Sequence, residues 1–151
     1  MGNLVEDAAT NAEWIAEALN GSGYAADFSP LSLTEIDRFF DEHSKGGKPK
    51  RRGLLSNETG PRLFAVGAYV GEVVRRSIGG EWRPDDNDPE DEIGLTLVLP
   101  DNSEMWPVQR VLKRFRNGAE DSIAAYGAAL GLDVPVFGPA RTRRSQFGLG
   151  G

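Results

Sequence analysis

The chain has no cysteine and only one histidine among its 151 residues, and this scarcity excludes several kinds of chemistry. Without cysteine it can form no disulfide, thiolate nucleophile, iron–sulfur cluster or cysteine-based zinc site. His43 alone cannot build a metal site that needs more than one imidazole, or a mechanism that uses two histidines. We therefore expect neither a metal nor a cofactor.

Long apolar runs and catalytic motifs are also missing. No segment has the roughly 18 consecutive apolar residues of a membrane-spanning helix, and the acidic start MGNLVEDAATNAEW lacks the basic region and apolar run of a signal peptide. The phosphate-cradling patterns GxxxxGKS/T and GxGxxG are absent, as is the GxSxG elbow of serine hydrolases. These absences predict a cytoplasmic protein with no membrane contact, and they leave enzymatic activity without a sequence signature.

The charge balance is acidic overall. With 17 lysines and arginines against 23 aspartates and glutamates, the formal net charge is −6, so the chain as a whole repels nucleic acid and anionic membranes. Several basic residues are concentrated in the segment SKGGKPKRRG at 44–53. Because this segment has no apolar side chain to bury, the sequence predicts a mobile loop there.

Apolar residues recur at helical spacing in five segments. The pattern predicts helices from Val5 to about Leu19, Ser32 to about His43, Pro61 to about Ile78, Pro107 to about Asn117, and Glu120 to about Leu130. Ser32 and Glu35 have the spacing of an N-terminal capping box. Gly67 and Gly71 are costly inside a helix, which indicates that another backbone packs closely against the third helix.

Three short strands are predicted between the third and fourth helices. The first is Glu81–Arg83, the second is the alternating segment Ile93–Leu99, and the third is Glu104–Trp106. The acidic stretch 84–92 is predicted to be a solvated loop, since its carboxylates do not have the spacing of an EF-hand.

These elements define the fold class. We predict an α+β domain of about five helices packed on a small antiparallel sheet of about three strands, in the order ααα-βββ-αα. The length suits one domain, which we place at residues 4–138. The remaining residues, 139–151, have no apolar pattern and are predicted to be a disordered tail rich in arginine and glycine.

Four stretches of the chain carry a resemblance to a known family. They are DFSPLSL at 27–33, GAYVGEVVRRSIGGEW at 67–82, LVLP at 97–100 and WPVQRVLKRFRNGAEDSIAAY at 106–126. Through the pattern GAYxGEVxRRxxGGxW, the chain resembles a family of small uncharacterised bacterial proteins that is common in actinobacteria. The resemblance covers roughly Trp14 to Tyr126 and implies one compact domain, but no activity and no catalytic residue. The gene neighbourhoods of some similar proteins imply interaction or toxin-immunity roles.

Glu72 is the polar residue of greatest chemical interest, because it lies near the apolar face of the third helix. The candidate cluster around it comprises Glu72, Arg75, Arg76, Glu81, Trp82 and Asp121. In a structural interpretation, Arg75 and Arg76 pair with Glu72 within the helix. The carboxylate of Glu72 then connects the helix either to the indole N–H of Trp82 or to the turn that contains Asp121. In a functional interpretation, Glu72 is the general acid or base of a small hydrolase or lyase, with Asp121 or Glu81 as the second carboxylate.

Aromatic and basic side chains supply the other candidate surfaces. Trp82 and Trp106 are predicted to pack against the third helix, and an exposed tryptophan would instead mark a binding surface. The polar side of the fourth helix is a candidate basic surface made of Arg110, Lys113, Arg114 and Arg116.

Taken together, these patterns favour a non-catalytic protein-interaction or regulatory module of an immunity-like kind. Its partner is expected to be another protein or a second copy of the chain. The first alternative is the small hydrolase or lyase that uses Glu72. The second is a weak nucleic-acid binder that uses the 44–53 loop and the basic helix face, although the net charge does not favour nucleic acid as the partner.

Overall fold

The computed structural model describes residues 3–135, and within this range the chain forms the α+β fold that the sequence predicts. The helices are α1 (Leu4–Gly21), α2 (Ser32–His43), α3 (Thr59–Ile78), α4 (Pro107–Asn117) and α5 (Ile123–Ala129). The strands are β1 (Ser44–Lys45), β2 (Lys48–Pro49), β3 (Glu81–Arg83), β4 (Thr96–Val98) and β5 (Glu104–Met105), and a 3₁₀ turn covers Gly118–Asp121. The predicted tail at 139–151 and the last predicted domain residues, 136–138, lie outside the described residues.

Helix α3 is the centre of the fold, as its long apolar pattern predicts. It buries every residue from 63 to 74, and both α1 and α4 pack against it. A methyl group at Gly67 would lie 2.7 Å from the Cα atom of Val108, and one at Gly71 would lie 2.1 Å from the ring of Trp82. The close packing predicted beside these glycines is therefore confirmed, because neither position has room for a side chain.

The three-stranded sheet has the order β3-β4-β5, and both pairs of strands are antiparallel. Its middle strand is shorter than the predicted segment Ile93–Leu99 and covers only Thr96–Val98. Ile93 lies outside it and is 46% exposed, because the amide of Gly94 closes a turn onto the carbonyl of Asp91. The loop that contains the acidic residues therefore continues through residues 93–95, where the sequence predicts the first part of the strand.

Residues 44–53 contain a β-hairpin where the sequence predicts a mobile loop. Strands β1 and β2 are joined by Gly46 and Gly47, whose φ angles of 59° and 78° suit a two-residue type I′ turn. The amide of Gly47 donates to the carbonyl of Phe115 at 3.1 Å, which fastens the hairpin to α4. The structure therefore differs from the predicted loop at 44–49, where main-chain hydrogen bonds rather than apolar burial pair two short strands, and it keeps turns at 50–53.

The capping box predicted at the start of α2 is also wrong. The hydroxyl of Ser32 donates to the carbonyl of Ser29 at 2.6 Å and lies 2.7 Å from the hydroxyl of Tyr69. Glu35 accepts a hydrogen bond from the amide of Ala25 instead of returning to its own helix. The turn before α2 already supplies carbonyl partners for the first amides of the helix, so no side-chain cap is required.

Candidate functional site

Glu72 is buried where α3 meets β3, and both of its carboxylate oxygens are occupied by donors. Oε2 accepts from Nε1 of Trp82 and from Nε of Arg75, each at 2.7 Å. Oε1 accepts from Nη2 of Arg75 at 3.0 Å and from Nε of Arg76 at 3.2 Å. The two arginines reach Glu72 because they follow it by three and four positions on one helix face.

This environment keeps Glu72 ionised. Burial raises the pKa of the Glu72 carboxyl, but the hydrogen bonds from Arg75 and Trp82 outweigh burial and hold the pKa below its ordinary value. A general acid or base that works near neutral pH needs a pKa closer to 7. Glu72 is also only 2% exposed, so the arrangement is that of a structural carboxylate in an ion pair.

The structure does not bring Glu81 or Asp121 to Glu72. Glu81 precedes the buried Trp82 on β3, so its side chain points to the opposite, solvent side and pairs with an arginine on the same strand at 2.9 Å. Asp121 lies 3.5 Å from Arg110 and is the last residue of the 3₁₀ turn that follows α4. The pair of carboxylates that the hydrolase or lyase interpretation requires is therefore not formed around Glu72.

Arg76 extends the Glu72 cluster to neighbouring elements. Its Nη2 atom donates to Glu13 of α1 at 2.8 Å, and its guanidinium carbon lies 3.7 Å from the ring centroid of Phe28. Phe28 has a left-handed φ of 63°, and its amide donates to the hydroxyl of Tyr69 at 3.0 Å. These contacts stabilise the meeting point of α1, α3 and the turn before α2.

Arg114 forms a second buried cluster, so its predicted place on an exposed basic surface is wrong. It is 2% exposed, its Nε atom donates to Asp37 at 2.8 Å, and its Nη2 atom donates to Asp41 at 2.7 Å. Asp37 also accepts from the amides of Ile123 and Ala124 at the start of α5. The cluster thus links α2, α4 and α5. The pattern of α4 alone cannot reveal it, because both acidic partners lie on α2.

His43 has a polar contact at each ring nitrogen. Nδ1 accepts from the amide of Leu54 at 3.0 Å, and Nε2 lies 3.0 Å from the hydroxyl of Tyr24, which donates to Glu42 at 2.5 Å. Burial lowers the pKa of His43, and burial together with the hydrogen bond to Glu42 raises the pKa of Tyr24 to about 12. The neutral imidazole therefore links the end of α2 to the segment that precedes α3.

The two tryptophans beside the sheet have different environments. Trp82 packs against α3 at Gly71 and is 8% exposed, as predicted. Trp106 is 41% exposed, so the prediction that it packs against α3 is wrong. Trp82 and the ring of Pro107 fill the space beside Gly71, which leaves Trp106 on the surface at the start of α4.

Trp106 lies between two surface depressions of opposite charge. The larger one, about 330 Å³, is lined by three acidic side chains, Asp85, Asp86 and Glu104, against one basic side chain, Arg83, so it is acidic on balance. The smaller one, about 60 Å³, is lined with Gln109, Arg110, Lys113 and Tyr126. The guanidinium of Arg110 stacks 4.4 Å from the ring centroid of Tyr126, which holds the basic side in place.

The remaining basic residues are divided between solvent and internal contacts. Arg116 is exposed and adjoins the β1-β2 hairpin, whereas Lys50 donates to a carbonyl of α2 at 2.8 Å. Within residues 3–135, no group of three or more histidine, aspartate or glutamate side chains is arranged to hold a metal ion. The same range contains no helix with both the length and the apolar character needed to cross a bilayer.

Comparison with protein-family models, with curated proteins and with solved structures finds no match for this chain. The resemblance to a family of small bacterial proteins therefore stays a prediction. Among the described residues, the charged groups of Glu72 and Arg114 are buried and paired with internal partners, whereas the side chain of Trp106 is exposed to solvent.

Proposed function

We propose that the chain is a non-catalytic protein-interaction module whose contact surface is centred on Trp106. The observation that carries the proposal is the 41% exposure of this side chain between an acidic and a basic depression. Tryptophan is enriched among the residues that dominate binding energy at protein interfaces. We call this surface the Trp106 face, and its members are Asp85, Asp86, Glu104, Trp106, Arg110 and Lys113.

The closed polar clusters support an interaction role over a catalytic one. Glu72 is buried and accepts from three side chains, so a reactant cannot approach it without breaking existing hydrogen bonds. Arg114 is equally buried and is saturated by two aspartates. Strongly paired groups of this kind stabilise a fold, whereas a binding surface needs groups that a partner can reach.

The backbone at Trp106 is supported by the rigid part of the fold. Trp106 occupies the N-cap position of α4, and its carbonyl accepts from the amide of Arg110 at 3.0 Å. The next residue, Pro107, packs beside Gly71 of the central helix. A large aromatic side chain on a fixed backbone loses little conformational entropy when it binds, which favours a stable complex.

The charges around Trp106 define the chemistry of the partner. Glu104 and the acidic loop lie on one side, and Arg110 and Lys113 lie on the other. An apolar centre with a charged rim is the usual arrangement of a protein interface, and the rim orients the partner during association. The partner is therefore a protein with an apolar pocket between a basic and an acidic group, and a second copy of this chain is one such candidate.

Two tryptophan variants test the proposal. Trp106→Ala removes the centre of the face, and Trp14→Ala is the matched control, since Trp14 is 46% exposed on α1. Immobilised wild type and variants are mixed with extract from cells of the source organism, the retained proteins are quantified by mass spectrometry, and the Kd of each purified candidate is measured. We expect a partner whose Kd rises about 30-fold with Trp106→Ala, the effect of a typical hot spot, and is unchanged with Trp14→Ala.

The same variants reveal self-association. Sedimentation of wild type over a wide concentration range detects a dimer, and Trp106→Ala should dissociate it while Trp14→Ala should not. The proposal fails if the wild type is monomeric and retains no protein, or if every complex that it forms has the same Kd with Trp106→Ala. Once a partner is identified, charge reversal by Glu104→Lys should slow its association with the chain, most strongly at low salt.

A further inference from the structure

We propose that the partner of the Trp106 face is a second copy of this chain, with the two copies related by a two-fold axis. This inference rests on the proposed function, because it assigns a partner to the same surface. In a two-fold dimer each copy contributes the same patch, so the patch must be complementary to itself. The Trp106 face meets this condition in shape, in hydrogen bonding and in charge.

The face contains both a projecting side chain and a depression that can receive it. Trp106 is 41% exposed and stands beside the acidic depression of about 330 Å³. A cavity of about 150 Å³ is enough for a benzene molecule, so the depression has room for the bicyclic ring of an indole. A two-fold axis that passes between Trp106 and the depression places the tryptophan of each copy over the depression of the other.

The depression lies on the side of the three-stranded sheet that faces away from the core. Thr96 and Val98 of β4 line it, and Leu97, which lies between them on the strand, is fully buried on the opposite side. Val98 is paired with Glu104 of β5 in the sheet, and Pro84 also lines the depression. An indole ring in this place would therefore contact apolar atoms with its face and a carboxylate with its edge.

The indole N–H of Trp106 would find an acceptor in that position. A tryptophan that becomes buried needs a hydrogen-bond partner for its N–H group. The depression of the second copy presents the carboxylates of Asp85, Asp86 and Glu104. A hydrogen bond to a carboxylate is stronger than one to a neutral acceptor, so this contact favours insertion of the ring.

The charges of the face are complementary under the same axis. Glu104 lines the acidic depression and Lys113 lines the basic depression, on the two sides of Trp106. Both side chains are exposed, and none of the ion pairs within residues 3–135 involves either of them. A two-fold axis turns the face end for end, so Glu104 of each copy meets Lys113 of the other, and the contact occurs twice.

Reciprocal charge reversal tests this arrangement, with the dimer Kd measured by sedimentation equilibrium from about 1 μM to 1 mM. Glu104→Lys and Lys113→Glu each bring like charges together at both contacts, so the Kd of either variant alone should rise at least about tenfold. A 1:1 mixture of the two variants restores opposite charges at both contacts and should associate with a Kd within about threefold of the wild-type value. Glu17→Lys and Arg116→Glu reverse exposed charges outside the face and should leave the Kd unchanged.

The failure of this inference can be distinguished from the failure of the proposed function. A chain that is monomeric up to about 1 mM overturns the inference, whereas the proposed function stands if a different protein binds in a Trp106-dependent manner. A dimer that persists in both single-reversal variants, or a mixture that associates no better than each variant alone, also overturns the inference. A dimer with the same Kd in Trp106→Ala uses another surface and overturns it as well.

Discussion

Replacing Gly71 by alanine tests the packing that holds Glu72 and Trp82 together. The added Cβ atom would lie 2.1 Å from Cη2 and 2.5 Å from Cζ2 of the Trp82 ring. The ring would have to withdraw by about 1.3 Å to restore an ordinary contact of 3.4 Å. Arg75 and Arg76 hold the Glu72 carboxylate, so it cannot follow the ring, and the hydrogen bond of 2.7 Å to Trp82 would break.

The magnitude of the effect follows from two losses and one gain. Overpacking a close-packed interior costs about 1–3 kcal/mol. Loss of a buried hydrogen bond to a charged group costs about 1.5–3 kcal/mol. The better helix propensity of alanine recovers about 1 kcal/mol. We therefore expect Gly71→Ala to lower the free energy of unfolding by about 3 kcal/mol.

Urea denaturation followed by circular dichroism measures this change. Gly21→Ala, at the exposed last residue of α1, is the control, because its added Cβ atom would meet nothing within 4 Å and its φ is not left-handed. The control should leave the free energy of unfolding unchanged or raise it by up to about 1 kcal/mol. A loss smaller than about 1 kcal/mol for Gly71→Ala, with the control as expected, would show that the Trp82 ring yields easily and that Glu72 is not clamped.

Three further predictions concern the polar clusters, and urea denaturation measures each one. Glu72→Gln should lower the free energy of unfolding at pH 7 and make that free energy less dependent on pH in acid. The pKa of Glu72 is depressed in the folded state, so its contribution to stability is complete above about pH 4.5 and is lost as the pH falls through the folded-state pKa. An unchanged loss of stability in acid would contradict this. His43, which faces Tyr24, Glu42 and Lys50, also has a depressed pKa, so wild-type stability should fall as the pH drops below about 6.5, and His43→Asn should remove this step. Arg114→Met should lower the free energy of unfolding by about 3 kcal/mol, because it removes a buried cation from the partly buried Asp37, whereas Arg116→Met should change it by less than about 0.5 kcal/mol.

Local patterns were sufficient to predict the elements and one polar contact. The apolar spacing and the two glycines of α3 indicated a central helix with close neighbours, and the position of Glu72 suggested a bond to the Trp82 indole, which the structure contains. Apolar patterning does not predict the hairpin at 44–49, because that segment has no apolar alternation and only its Gly-Gly turn indicates the reversal. Turn chemistry alone favoured a hairpin there.

The predictions that failed required knowledge of which elements meet. Arg114 lies on the polar side of α4 by its own periodicity, and it is buried only because Asp37 and Asp41, one turn apart on α2, face it. Trp106 resembles a core tryptophan in a strand, yet Pro107 takes the space beside α3 that it would need. In both cases a tertiary neighbour, absent from the local pattern, determines the exposure of the side chain.

Hydrogen-bond saturation separates the structural residues of this chain from the candidates for binding. Glu72 and Arg114 are both buried, and their charged groups are already paired with internal partners. A partner could engage them only by breaking bonds that already exist, at a cost of about 1–3 kcal/mol each. Trp106 carries no such cost, since its side chain is exposed. We therefore infer that binding to this molecule is favoured at the Trp106 face, where a partner can reach the central side chain without breaking these internal bonds.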